Sequence, residues 1–272
     1  MAARRASRRP VDWILTTRLP TSRVAAFCST CSTIWFATPP DSPGFSLMEL
    51  IAPPRAVVFD MDGLLLDSER ICMEIFADVC TQHGFAFDRG VYARCIGTNR
   101  EGTRRVLLEG YGAEFPYEVI EHDWMRRYEA RVLAEPVPVK AGALAVLECL
   151  DERKIDIALA TSTYAPIAAR KLELAGLDGY FEIRVTGDQV SRGKPDPEPY
   201  LEALRRLGHA ADGCWALEDS DNGVKAAHGA GMMVVQVPDL IEPSAEVRAL
   251  GHPVVDSLLD VLALLGEHKS KC

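Results

Sequence analysis

The chain lacks three things whose absence narrows its function. It has no apolar run of the roughly 20 residues that a membrane-spanning helix needs; the uncharged stretch Val24–Pro40 is too short and too rich in Ser, Thr, Cys and Pro. It has no excess of positive charge. With 30 Lys and Arg against 39 Asp and Glu, the formal net charge is −9, which argues against a nucleic-acid or anionic-membrane partner. It also has no paired-cysteine framework, since the eight cysteines are scattered and mostly embedded in apolar patterns, as at Cys72, Cys80, Cys95, Cys149 and Cys214. They read as reduced thiols. No internal repeat is evident. What remains, at 48% hydrophobic and 25% charged over 272 residues, is enough for the core of one domain carrying an insertion, as in a soluble enzyme.

What is present is a series of apolar runs that end in chemistry. Val57-Val58-Phe59 runs into Asp60-Met61-Asp62-Gly63. Side chains alternate along a strand, but where the strand frays into a glycine turn two carboxylates spaced i, i+2 can reach one site. Asp60 can then bind a divalent cation and attack phosphorus, while Asp62 exchanges the leaving-group proton. A lone Asp-x-Asp reads more simply as a strand followed by a polar turn. Three further segments follow in order. Ile157–Ala160 leads into Thr161-Ser162, whose hydroxyls and neighbouring backbone N–H groups suit a phosphoryl oxygen, although they also suit a helix cap. Gly193-Lys194-Pro195-Asp196-Pro197 holds a lysine in a turn stiffened by prolines, where its ammonium can neutralise both Asp60 and a phosphate. Cys214–Leu217 delivers Glu218 and Asp219, oxygen donors of the kind Mg²⁺ prefers.

The ordered set resembles the haloacid dehalogenase superfamily of phosphohydrolases, in the branch of β-phosphoglucomutase and small sugar-phosphate phosphatases, over about residues 54 to 265. That resemblance implies an α/β, Rossmann-like core with a parallel sheet and an inserted helical cap. It implies Asp60 as nucleophile, Asp62 as general acid/base, Thr161 and Ser162 as phosphate binders and Lys194 as the charge clamp. Mg²⁺ would be held by Asp60, the Asp62 carbonyl and Asp219, with Glu218 joining the metal set by orienting Asp219 or a metal-bound water. A carboxylate nucleophile splits one hard displacement into two through an aspartyl-phosphate. To protonate the first leaving group, Asp62 needs a raised pKa.

Alternating apolar patterns predict strands near 56–61, 156–161, 182–186, 214–218 and 233–237, with a weak last strand near 253–255, and helices between them. The interval 67–139 breaks this rhythm and reads as helices throughout. The expected domains are therefore a core of 48–66 and 140–272 and a cap of 67–139. Within the cap, the turn Ile96–Glu101 is the best substrate loop, with Gly97 permitting a sharp bend and Arg100 able to meet an anionic or polyhydroxyl ligand. Arg100 equally well caps the next helix.

The first 47 residues hold six arginines, no lysine and only Asp12 and Asp41, a net +4 that leaves −13 on the remaining 225. They fit an organelle transit peptide, or an upstream start that is never translated, since Met48-Glu49-Leu50 is an ordinary beginning for this family; the second reading is favoured narrowly. The expected partner is a small phosphorylated metabolite, met by a cytoplasmic monomer, or by an organellar one if the segment is a transit peptide. Substrate choice is read from one departure. Where β-phosphoglucomutases carry a histidine that delays hydrolysis of the aspartyl-phosphate, this chain has Cys72, which cannot replace imidazole. The stretch Asp67-Ser68-Glu69-Arg70 instead resembles phosphatases, including pseudouridine 5'-phosphatase-like proteins. A phosphatase is the leading expectation, a mutase-like phosphotransferase the alternative, and a non-catalytic phosphate-binding protein the third.

Overall fold

The computed structural model describes residues 52–98 and 100–266. The expectations placed on residues 1–47 and on Asn99 lie outside them. Strand β1 (Ala56–Phe59) is apolar and buried on both faces, as a central parallel strand must be. Five helices follow it: α1 (Ser68–Gln82), α2 (Arg89–Ala93), α3 (Arg100–Tyr111), α4 (Tyr117–Ala134) and α5 (Ala143–Glu152). Then come β2 (Asp156–Ala160), α6 (Ala165–Ala175), β3 (Ile183–Val185), α7 (Glu198–Leu207), β4 (Cys214–Glu218), α8 (Asp221–Gly229), β5 (Met233–Gln236), α9 (Ala245–Arg248) and α10 (Leu258–Leu264).

The sheet is parallel throughout, in the order β3-β2-β1-β4-β5. The chain builds outward from β1 to β3 and then crosses back to β4 on the other side of β1. The strand order reverses there, so the loops leaving β1 and β4 part and open a crevice at the carboxyl edge. Alternation along β1 feeds two cores. Val57 and Phe59 pack with α5, α6 and α10, while Ala56 and Val58 pack with α7, α8 and α9. Phe59 meets Phe181 edge to face at 5.8 Å, and burying a side chain of this size stabilises by roughly 1.5–3 kcal/mol.

Helices α1 to α4 carry an apolar cluster of their own, centred on Phe76, Tyr92, Leu107, Phe115 and Trp124. The Phe76 and Trp124 rings lie 4.7 Å apart and Tyr111 stacks on Phe115 at 4.6 Å. Trp124 Nε1 donates to the Cys72 carbonyl at 2.9 Å, tying α4 to α1. The chain enters and leaves this helical unit side by side: Asp67 N donates to Pro138 O and Lys140 N to Leu65 O, both at 2.9 Å. No described helix is long and apolar enough to cross a membrane.

Two sequence expectations shrink. The strand near 253–255 is a single bridge between Val254 and Gln236, and the helix expected between the last two strands is one turn, Ala245–Arg248. Both lie beyond the last central strand, where few neighbours remain to extend a pattern.

Candidate active site

The sheet register fixes where the acidic residues fall. Asp60 N donates to Leu217 O at 3.0 Å, which carries the β1–β4 pairing one residue past the strand end, and Thr161 N does the same to Val185 O at 2.9 Å. Asp60 is 7% exposed. Its Oδ1 accepts from Lys194 Nζ at 2.5 Å, and the same ammonium donates to Glu218 Oε1 at 2.5 Å. Burial, with Glu218 and Asp62 nearby, pushes the Asp60 pKa up to about 7 against the opposing pull of Lys194. Burial alone would lower Lys194, but Asp60 and Glu218 carry it well above the ordinary lysine value. It therefore stays charged.

Glu218 is saturated. Oε1 also accepts from Tyr200 Oη at 2.8 Å, and Oε2 accepts from the N–H groups of Asp219 and Ser220, each at 3.0 Å, and from Ser220 Oγ at 3.1 Å. A Cβ at Gly223 would run into its carboxylate, so the start of α8 packs directly on it. These contacts leave Glu218 as a strut that orients the loop bearing Asp219, with no oxygen turned out for a ligand. Any part Glu218 has in holding a metal is therefore through the orientation of Asp219, the route expected from the sequence.

Asp219 is the opposite case. It is 9% exposed, and among the described residues no hydrogen bond or ion pair reaches its carboxylate. Burial first, then Glu218 and Asp60, raise its pKa well above the usual value. A Cβ at Gly63, whose φ is +90°, would strike its Oδ2, so the carboxylate lies against the backbone just after Asp62. No three His, Cys, Asp or Glu side chains among the described residues form a metal cluster. The donors available are two carboxylates, Asp60 and Asp219, with the Asp62 carbonyl alongside. A hard cation that keeps several waters fits such a set, and the Asp219 carboxylate, which no donor among the described residues reaches, is open to one.

Asp62 is held by three donors: Ser68 Oγ at 2.5 Å, Thr163 Oγ1 at 2.6 Å and Lys171 Nζ. Burial would raise its pKa, but Lys171 and these hydrogen bonds hold it below the usual carboxylate value. The raised pKa that a first-step acid needs is not found in this arrangement. Thr161 is buried, its Oγ1 accepting from Thr163 N at 3.1 Å, while Ser162 beside it is exposed. Arg100 takes no part in these contacts. It forms a two-pronged pair with Glu121 of α4, at 2.8 and 2.9 Å, with its side chain 74% exposed. The turn it belongs to does reach the core, because Asn222 Nδ2 at the start of α8 donates to Gly97 O.

Sequence reasoning misses Lys171, Thr163, Ser68, Tyr200 and Asn222. Only Lys171 carries a readable signal, since it falls on the apolar stripe of α6 with Ala168 and Leu172.

A family model for haloacid dehalogenase-like hydrolases matches residues 57–237. The chain is 35% identical over 180 residues to the phosphorylated carbohydrates phosphatase of Thermotoga maritima, covering 65% of this chain and 82% of that protein. It is 34% identical over 188 residues to a Drosophila melanogaster protein named "Probable pseudouridine-5'-phosphatase", covering 67% and 80%. To the β-phosphoglucomutase of Bacillus subtilis it is 31% identical over 190 residues, covering 67% and 83%. The matched span runs from β1 to the end of β5 and contains every residue of the acidic cluster and its lysines; the chain belongs to the haloacid dehalogenase-like hydrolase family.

Proposed function

We propose that this protein is a Mg²⁺-dependent phosphatase that hydrolyses a small phosphorylated metabolite, a sugar or nucleoside monophosphate ester, through an aspartyl-phosphate on Asp60. The observation that carries the reading is the pairing of buried Asp60 with Lys194 beside the bare carboxylate of Asp219. The named phosphatases among its relatives support the reaction class.

In the first step an Asp60 oxygen attacks phosphorus in line, the bond from phosphorus to the ester oxygen breaks, and that oxygen takes a proton from Asp62. In the second, a water attacks phosphorus, Asp62 accepts its proton, and the bond to Asp60 breaks. Lys194 offsets charge on the equatorial oxygens, and the Thr161–Ser162 turn cradles them. Mg²⁺ on Asp60, Asp219 and the Asp62 carbonyl would add to that neutralisation. As held here by Lys171, Ser68 and Thr163, Asp62 is ionised and suited to the second step. For the first it must take up a proton, which the negative charge of a phosphate seated beside Asp60 favours. The unit α1–α4 acts as the cap, with the Gly97 turn touching the edge of the crevice through Asn222.

The B. subtilis relative is the observation that favours a phosphotransferase as second reading. Release of inorganic phosphate from a panel of sugar and nucleoside monophosphates, with Mg²⁺ and then with EDTA, tests the proposal. Turnover with release that stops in EDTA is expected. Isomerisation of a sugar phosphate with little release points to the second reading, and full activity in EDTA rejects the metal site.

A further inference from the structure

One fully buried lysine enters the chemistry above only by holding Asp62. Lys171 stands on the inner stripe of α6, and its side chain is 0% exposed. An ammonium so enclosed is costly unless a carboxylate answers it, and the carboxylate is that of Asp62. The same ammonium donates to the Tyr128 hydroxyl at 3.2 Å and lies 5.7 Å from the centre of that ring. Tyr128 belongs to α4, so this contact passes between the cap and the sheet unit. A second tie runs beside it, from Arg170 Nε to the Leu133 carbonyl at 3.1 Å.

We propose that Lys171 is the positioning residue of Asp62, and that Tyr128 makes this positioning depend on the seating of the cap. The proposal rests on the phosphatase reading. The three donors to Asp62 come from three elements: Ser68 opens α1, Thr163 lies in the turn after β2, and Lys171 is two turns into α6. The two hydroxyls can rotate to other partners. Lys171 cannot, because among the described residues no other carboxylate is hydrogen-bonded to it, so it fixes where Asp62 points. When the cap lifts, Tyr128 leaves Lys171 and one restraint on that geometry goes with it. Proton transfer is thereby tied to enclosure of the substrate, as lids in other enzymes tie chemistry to closure.

The test uses the full chain, with p-nitrophenyl phosphate as substrate and inorganic phosphate as competing ligand. Lys171→Met should lower kcat by about 100-fold while KM and phosphate inhibition stay within about threefold, because the phosphate is held by other groups. Tyr128→Phe keeps the ring and should cost about three- to tenfold in kcat with an unchanged thermal midpoint. Each substitution is repeated on Asp62→Asn. If Lys171 acts through Asp62, the second change adds less than about twofold to the loss. The same loss in both backgrounds, or a raised KM with kcat intact, overturns the proposal. Should Lys171→Met fail to fold, Tyr128→Phe alone and on Asp62→Asn decides the matter by the same criterion. No turnover of any monoester by the wild type rejects the phosphatase reading, and this inference with it.

Discussion

Lys194 and Asp60 stand 134 positions apart in the chain, and their side chains meet at 2.5 Å. The lysine arrives on the turn after β3, the aspartate on the tip of β1, and Glu218 at the end of β4 holds the ammonium from its other side. A cation between two buried carboxylates does two jobs. It keeps the strand tips from repelling one another, and it leaves a positive charge beside the oxygen that would attack phosphorus.

Removing each partner should therefore give different results. Asp60→Asn is expected to lower turnover by at least about a thousandfold with the fold intact, since it deletes the proposed nucleophile. Lys194→Met should abolish turnover and also destabilise by about 3 kcal/mol, because two carboxylates are left buried without their cation. Denaturant midpoints with phosphate-release assays check both. Equal stability losses in the two variants contradict this account of the pair.

Gly63 is the position where the backbone and the proposed metal carboxylate, Asp219, share space. Alanine there would hold φ near +90° and drive its Cβ into Asp219. Gly63→Ala should cost about 1–3 kcal/mol and raise the Mg²⁺ concentration needed for half-maximal rate. An unchanged denaturant midpoint and an unchanged Mg²⁺ requirement contradict it.

The tips of β1 and β4 are legible in the sequence because each is an apolar run ending in charge, and a parallel sheet forces such ends to one edge. Lys194 is legible because its glycine and prolines mark a rigid turn. What escapes is pairing across the fold. Arg100 stands beside the Gly97 turn, but Glu121, 21 positions on, takes its guanidinium, and nothing local in the chain announces that. Lys171 on an apolar stripe reads as a side chain snorkelling to solvent, and only the packing of α4 on α6 shows that it is enclosed. The lowered pKa of Asp62 follows from the same hidden lysine.

His252 gives a stability prediction with a sign. Its Nε2 lies 2.8 Å from Gln236 Oε1, and Gln236 Nε2 donates to the Asp219 carbonyl at 3.2 Å. Burial, then His228 and Arg248, lower the His252 pKa from 6.5 against the opposing effect of Asp221. The folded state thus binds fewer protons at this ring than the unfolded chain does, and stability falls as pH drops through 6.5. Thermal midpoints from about pH 7 to about pH 5 should decline more steeply in the wild type than in His252→Gln. Parallel declines contradict the assignment.

Cys72 is the position at which the proposed hydrolysis is expected to part from transfer. Burial, with Glu69 nearby, pushes its thiol up to about 12, so it carries no exchangeable charge near neutrality. Cys72→His should slow hydrolysis of the phosphoenzyme by about tenfold in single-turnover experiments, if an imidazole there protects the intermediate. An unchanged or faster hydrolysis removes Cys72 from the explanation.

Covalent chemistry at Asp60 leaves a phosphorylated peptide that acid-quench trapping can capture. Wild-type protein mixed with a turned-over phosphate monoester and Mg²⁺, quenched in acid and digested, should carry phosphate on the peptide containing Asp60, and Asp60→Asn should carry none. Steady release of inorganic phosphate with no phosphate ever found on Asp60 would contradict the account.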